Sequence, residues 1–159
     1  MNEELEYTYD NIRPWVAHNL PNLARQFGVG HWRLDIFYDQ LSSSDESTTL
    51  MTCNASSSYE QASITIDREA CIRRLDSWQE FNGHFEHELL HVVLSSIQDF
   101  VRDVIGQLPE GAIEFAQRRR DNALESTVRD VERLVFSLRK HERPDPELEP
   151  FDLSAGGNL

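Results

Sequence analysis

The sequence predicts an α+β fold with an N-terminal helix, a small antiparallel sheet of about three strands, and two C-terminal helices that pack together. Apolar residues recur at helical spacing near the N-terminus, short alternating segments follow, and a long apolar stripe occupies the last third. The 159 residues, 39% of them hydrophobic, suit a single domain over residues 1–140. Residues 141–159 are rich in proline, glycine and acidic residues, and we expect a poorly ordered tail there.

The first helix is predicted over residues 10–27, where apolar side chains recur every three or four positions. Pro14 suits an early helical position because the first turn has no partner for its missing N–H. Pro21 should kink or interrupt the helix for the same chemical reason. A Gly-Val-Gly sequence at residues 28–30 is predicted to end it.

Three strands are predicted between the first helix and the next. Residues 32–38 alternate apolar and polar side chains, which is typical of a strand with one buried face. Residues 49–56 and 61–67 are the other candidates, separated by a short polar connection. Short connections between consecutive strands favour an antiparallel meander.

Helix-capping residues mark the start of the next two helices. Asp67 can cap a short helix over residues 68–75. Ser77 and Glu80 form the pattern S-x-x-E, a capping box that opens a longer helix. This helix is predicted to continue to about Ile105, where a glycine follows.

The last helix is predicted to begin near Asn122, after a connector over residues 106–121 with some helical potential. Its apolar stripe consists of Leu124, Val128, Val131, Val135 and Leu138. A stripe of this length predicts a helix that packs along the core.

Composition excludes several classes of function. The net charge of −13 disfavours nucleic acid as a partner, since a phosphate backbone requires a basic surface. No apolar run approaches the roughly 20 residues that cross a bilayer, and the acidic N-terminus lacks the features of a signal peptide. We therefore expect a cytoplasmic protein without a membrane partner. Cys53 and Cys71 are expected to be reduced, partly buried thiols.

His87, Glu88 and His91 form the pattern H-E-x-x-H within the predicted long helix. Two histidines four residues apart leave the same face of a helix, so both imidazoles can bind one Zn²⁺. Glu88 is offset by one position, where it suits a general base better than a ligand. His84, one turn earlier, either lines the same cleft or is a solvated histidine.

A third metal ligand is required, and the residues leave two candidates. The pattern H-E-x-x-H-x-x-G-x-x-H would place a third histidine six positions after His91, but Ile97 stands there. Glu125 and Glu132 on the last helix are seven residues apart, so they share one side beside the apolar stripe. Arg129, four positions after Glu125, could instead hold that carboxylate in a surface ion pair.

Four segments together resemble small phage- and prophage-encoded zinc metallopeptidases, a minimal gluzincin-like group of the zincins. These segments are W-R-L-D-I, Y-x-x-A-S-I-T-I, H-E-L-L-H-V-V-L and L-E-S-T-V-R-D-V-E-R-L, and the resemblance covers about residues 10–138. It implies a minimal zincin-like domain in which Glu125 is the third ligand and Glu132 supports the site. The chain lacks the N-E-x-x-x-D form of larger gluzincins.

The motif and the resemblance predict a zinc-dependent metallopeptidase that acts on a peptide or protein substrate. Zn²⁺ held by His87, His91 and Glu125 would activate water, and Glu88 would act as general base. The alternative is a metal-binding regulatory or interaction protein of phage or mobile-element origin with little turnover. The oligomeric state is not predicted.

Two features of substrate binding are also expected. The strand at residues 62–66 precedes the motif and could bind an extended substrate along an exposed edge. Tyr59, His84 and Arg129 are candidates for stabilising an oxyanion.

Overall fold

The computed structural model describes residues 6–41, 43–44 and 47–142, and this part of the chain confirms the α+β class. Most of the predicted tail, residues 143–159, lies outside the described residues. The helices are α1 (Ile12–Gln26), α2 (Arg68–Arg74), α3 (Trp78–Val93), α4 (Ser95–Ile105) and α5 (Glu110–Glu142). The strands are β1 (Arg33–Tyr38), β2 (Ser43–Ser44), β3 (Ser47–Thr48), β4 (Met51–Ser56) and β5 (Gln61–Ile66), with a 3₁₀ turn at Ser57–Tyr59.

The main sheet has the order β1-β5-β4 and is mixed, so the predicted antiparallel meander is wrong. β5 pairs antiparallel with β4, but it pairs parallel with β1, in the register Arg33 to Gln61. Residues 39–50 lead from β1 to β4, and β4 with the 3₁₀ turn then leads into β5, so β4 is part of the long connection between the parallel strands β1 and β5. Apolar alternation fixes the buried face of a strand but leaves its direction open.

β5 is the central strand, and its alternating side chains Ala62, Ile64 and Ile66 are buried as the pattern predicted. Both of its edges are hydrogen-bonded to neighbouring strands. The prediction that residues 62–66 offer an edge to an extended substrate is therefore wrong. β4 occupies an edge of this sheet and packs against α3.

α1 contains Pro21 and continues past it, so the proline does not interrupt the helix. The buried side chains Ile12, Val16 and Leu23 hold the helix against the core on both sides of the proline. The helix is followed by Gly28, whose φ of 73° lies in the left-handed region that favours glycine.

α2 and α3 begin at the predicted caps. The Asp67 carboxylate accepts a hydrogen bond from the Ala70 N–H at 2.9 Å, and the Ser77 hydroxyl accepts one from the Glu80 N–H at 3.3 Å. The carboxylate of Glu80 reaches back to the Asp76 N–H at 2.8 Å, one residue before the position a capping box uses. Both helix starts are thus defined locally.

An aromatic cluster fixes α3 against α1. Trp15 of α1 stacks on Trp78 with ring centroids 5.3 Å apart, and it meets the edge of Phe81 at 5.2 Å. Further along α3 the fully buried face continues through Phe85, Leu89 and Val92. These contacts set the rotation of α3 about its own axis, because the side chains on one face are all enclosed.

α3 ends at Val93 and a separate helix, α4, begins at Ser95, so the single helix predicted to Ile105 is wrong. A tertiary contact involves the first part of α4. The Asp99 carboxylate of α4 accepts a hydrogen bond from the Ser57 N–H in the 3₁₀ turn at 2.9 Å. Periodicity along the chain gives no sign of such a contact.

α5 begins at Glu110, so the predicted connector and the N-cap at Asn122 are also wrong. Residues 110–121 show little apolar periodicity but are rich in good helix formers, and Arg118 pairs with Glu114 at 3.2 Å, one turn apart. Local propensity therefore extends this helix beyond its buried stripe. Among the described residues, no helix combines the length and the apolar character needed to span a bilayer.

The two cysteines are free thiols, in line with the expectation from sequence. Cys71 is fully buried and Cys53 is partly buried on β4. Burial raises the pKa of both thiols to about 12, so each stays protonated and unreactive near neutral pH.

Asp67→Ala should lower the free energy of unfolding by about 2 kcal/mol. Asp67 is 6% exposed, and besides capping α2 its carboxylate accepts a hydrogen bond from the Leu41 N–H at 3.0 Å. Urea unfolding followed by circular dichroism measures the effect. Asp10→Ala, which removes an exposed carboxylate, is the matched control and should change stability by less than about 0.5 kcal/mol. Equal losses in both variants would contradict the capping role.

Candidate metal centre

The two histidines of the motif lie on α3 beside its buried face. His87 and His91 are one turn apart, and their Nε2 atoms approach to 3.3 Å. Their side chains are only 19% and 13% exposed. Because the buried aromatic and aliphatic face fixes the rotation of α3, both imidazoles are directed towards α5.

α5 supplies the third group, the carboxylate of Glu125. Its oxygens lie 3.6 Å from His87 Nε2 and 3.3 Å from His91 Nε2. The ligand atoms of the three residues all lie within 4.8 Å of one another, so the group can hold a metal ion. Val128, fully buried one turn further along α5, anchors the helix at this level.

Glu132 approaches the same site from the other side of His87. Its carboxylate lies 3.5 Å from His87 Nδ1, while Nε2 faces Glu125. A carboxylate beside Nδ1 favours the tautomer that carries its proton there, which leaves the Nε2 lone pair free to bind a metal. The structure thus places Glu125 and Glu132 beside different nitrogen atoms of the His87 imidazole.

Burial lowers the pKa of His91 below its ordinary value, although the nearby Glu125 opposes the shift. A lower pKa keeps the imidazole neutral near neutral pH. Neutral imidazole is the form that binds a metal ion.

Glu88 lies between the buried face of α3 and the histidine face, where it is 9% exposed and lines a cleft beside the metal group. Burial, followed by the negative charge of Glu125, raises its pKa to about 7. A carboxyl group with this pKa can both accept and donate a proton near neutral pH. Glu88 is not one of the three residues whose ligand atoms lie within 4.8 Å of one another.

The cleft has a volume of about 850 Å³ and is open to solvent. His84 and Arg129, two of the candidates for oxyanion stabilisation, line it. Tyr59, the third candidate, lies in the 3₁₀ turn, is 82% exposed and is not part of the cleft wall. A smaller hollow of about 270 Å³ lies on the other side of Glu125, next to His91.

Several residues of the site give no signal in the sequence. The Gln98 side chain of α4 donates a hydrogen bond to the His91 carbonyl at 3.1 Å, which ties the end of α3 to the next helix. Arg74 and Arg133 also line the cleft. They come from α2 and α5, so only the tertiary fold brings them to the motif.

No family model, curated protein or solved structure matches this chain. The resemblance to small phage-encoded metallopeptidases therefore stays a prediction, and the function has to be argued from the geometry of the site.

Glu125→Ala should weaken metal binding by at least about 100-fold, because Glu125 contributes one of only three ligand atoms. Glu132→Ala should weaken it by about 10-fold or less, because the Glu132 carboxylate lies beside the opposite nitrogen of His87. Competition with a chromophoric chelator measures both affinities. If the Glu125→Ala protein kept its metal and the Glu132→Ala protein lost it, Glu132 and not Glu125 would be the third ligand.

The burial of Glu88 should make stability depend on pH in the metal-free protein. Its pKa is about 7 when folded against an ordinary value of 4.5, so its stabilising contribution is present below pH 4.5 and is lost as pH rises through 7. Glu88→Gln removes this titration. As pH rises from 4.5 to 8, the free energy of unfolding of the variant should therefore increase relative to that of the wild type by up to about 3 kcal/mol.

Urea unfolding of both proteins at several pH values, with a chelator present, measures this gain. Taking the difference between the two proteins cancels the titration of the shared groups that do not interact with Glu88. A difference in stability that does not change with pH would show that the pKa of Glu88 is not raised in the folded state.

Proposed function

We propose that this protein is a zinc-dependent metallopeptidase, with His87, His91 and Glu125 as metal ligands and Glu88 as general base. The observation that carries the proposal is the position of Glu88. A buried carboxyl group with a pKa near 7 lies next to a group of three potential metal ligands, on the wall of an open cleft. A site that only binds metal has no need of such a group.

The distances between the ligand atoms favour zinc. Ligands placed 2.0–2.1 Å from an ion at tetrahedral angles are about 3.3 Å apart. Here the two Nε2 atoms are 3.3 Å apart, and the Glu125 carboxylate approaches His91 Nε2 to 3.3 Å through Oε1 and His87 Nε2 to 3.6 Å through Oε2. Two imidazole nitrogens and one carboxylate oxygen suit zinc better than calcium or magnesium, which prefer oxygen ligands alone. With three protein ligands, one tetrahedral position stays available for water or substrate.

The roles of the chain's own residues follow from their positions. A bound zinc ion would supply Lewis acidity, which lowers the pKa of water and polarises a carbonyl group. Glu88 accepts a proton from the water that attacks the peptide carbonyl carbon. The same carboxyl group then donates that proton to the nitrogen as the C–N bond breaks. Glu132 keeps the His87 ring oriented through Nδ1.

The cleft supports a peptide as the substrate. It continues from the metal group past Gly83 and Glu80, which lie one and two turns before His87 on α3. By the rise of an α-helix this is a length of about 10 Å, or three residues of extended chain. The net charge of −13 disfavours nucleic acid as the substrate.

The function is tested by incubating the zinc-loaded protein with an unfolded protein substrate, such as reduced and alkylated casein, with and without chelator. Glu88→Gln should keep its zinc and its fold but lose at least about 100-fold in hydrolysis, because an amide cannot accept the proton. Mass spectrometry identifies the cleavage products.

Gln98→Ala provides a control on the neighbouring helix, because it removes a hydrogen bond to the His91 backbone and no acid or base. It should retain most of the activity. Cleavage by Glu88→Gln at the wild-type rate would exclude Glu88 as the base. A wild-type protein that binds zinc tightly but cleaves no peptide would favour the alternative, a metal-binding regulatory protein.

A further inference from the structure

The cleft beside the metal group contrasts with the overall charge of the chain. The protein has 28 acidic and 15 basic residues, yet three arginines line this cleft, namely Arg74, Arg129 and Arg133. Four glutamates line it as well, but three of these belong to the metal group or act beside it. The fourth, Glu80, already accepts a hydrogen bond from the Asp76 N–H. Away from the metal group, positive charge therefore predominates.

The three arginines that line the cleft lie on two helices, α2 and α5. Arg129 and Arg133 are one turn apart on α5, and Arg129 is one turn after Glu125, so all three share a face of the helix. Arg74, the last residue of α2, lines the same cleft and also has a contact within the protein. The two arginines of α5 are therefore the main candidates to bind a ligand.

The guanidinium groups on α5 are accessible to a ligand. In the described part of the chain, Arg129 forms no hydrogen bond or ion pair. Arg133 pairs with Asp130 at 3.2 Å, but its side chain is 77% exposed, so solvent screens this pair and it is weak. A carboxylate that enters the cleft can compete for both.

The position of the arginines sets a distance from the metal group. α5 runs antiparallel to α3, because His91 faces Glu125 while His87 also faces Glu132. Arg129 and Arg133 follow Glu125 by four and eight residues on α5, so they lie one to two turns from it along this helix, on the side of Glu132. This is about 5–10 Å, or two to three residues of an extended peptide.

We propose that the arginines of this cleft, above all Arg129 and Arg133, select peptides that carry a carboxylate two or three residues from the bond cleaved at the metal group. The inference rests on the proposed function and specifies its substrate class. Arginine binds carboxylate through paired, charge-assisted hydrogen bonds, which give both affinity and orientation. The carboxylate is that of an aspartate or glutamate side chain, or that of the peptide's own C-terminus.

The test uses zinc-loaded Glu88→Gln protein immobilised on a column, so that peptides bind without being cleaved. Two synthetic mixtures of random hexapeptides are applied, one with amidated and one with free C-termini. Mass spectrometry sequences the retained fraction. We expect acidic peptides to be enriched about tenfold over the input. Enrichment in the amidated mixture identifies a side-chain carboxylate, and enrichment confined to the free-acid mixture identifies the C-terminus.

Arg129→Gln, introduced into the same protein, should reduce the enrichment to near the level of the input. Arg118→Gln is the matched control, because Arg118 is an exposed arginine on the same helix that pairs with Glu114 and does not line the cleft. It should leave the enrichment unchanged. Zinc content and the circular dichroism spectrum verify that each variant is folded and loaded.

Two results would overturn the proposal. One is the absence of acidic enrichment. The other is enrichment that persists in Arg129→Gln and in the Arg74→Gln, Arg133→Gln double variant, which would mean that the ion itself holds the carboxylate. Incubating wild-type enzyme with the same mixtures separates this inference from the proposed function. Cleavage of peptides without a preference for acidic residues would contradict the role of the arginines but not the proposed hydrolysis. Arginine-dependent retention of acidic peptides without any cleavage would contradict hydrolysis but not the role of the arginines.

Discussion

The packing of α3 against α1 and the sheet is the constraint on which the rest of the site depends. Phe81, Phe85, Leu89 and Val92 are all fully buried, so the helix can adopt only one rotation about its axis. With that rotation fixed, the helical period directs His87 and His91 towards α5. Glu88, about 100° further round than His87, falls at the border between core and cleft. The burial of an apolar face thus determines both which side chains can meet a metal and which one has its pKa raised.

Much of this arrangement could be predicted because it is local. The spacing of His87 and His91, the caps at Asp67 and Ser77 and the alternation in β5 all depend on residues a few positions apart. Local geometry of this kind follows directly from the period of a helix or strand. The structure accordingly brings together the three residues predicted to hold a metal.

The features that sequence could not predict depend on contacts between distant segments. Periodicity does not reveal that β1 lies parallel to β5, nor that Asp99 contacts Ser57 where the chain leaves α3. The residue pattern alone also left open the choice between Glu125 and Glu132, and only the resemblance to the phage-encoded metallopeptidases favoured Glu125. Both lie on one side of α5, and only the antiparallel arrangement of α5 and α3 shows that Glu125 meets the Nε2 atoms while Glu132 meets Nδ1 of His87.

The two helices that form the site, α3 and α5, differ in how much of their apolar surface is buried. α3 lies within the core, whereas among the described side chains of α5 only Val128 is fully buried, and Leu134 is 57% exposed. Apolar burial therefore contributes less to the docking of α5 than to that of α3. An ion bound by His87, His91 and Glu125 would join the two helices, and its binding free energy would add to the stability of their contact. Metal affinity and the docking of α5 are then linked quantities. A substitution that loosens α5 far from the ligands should weaken metal binding, because the ligand set exists only when this helix is docked.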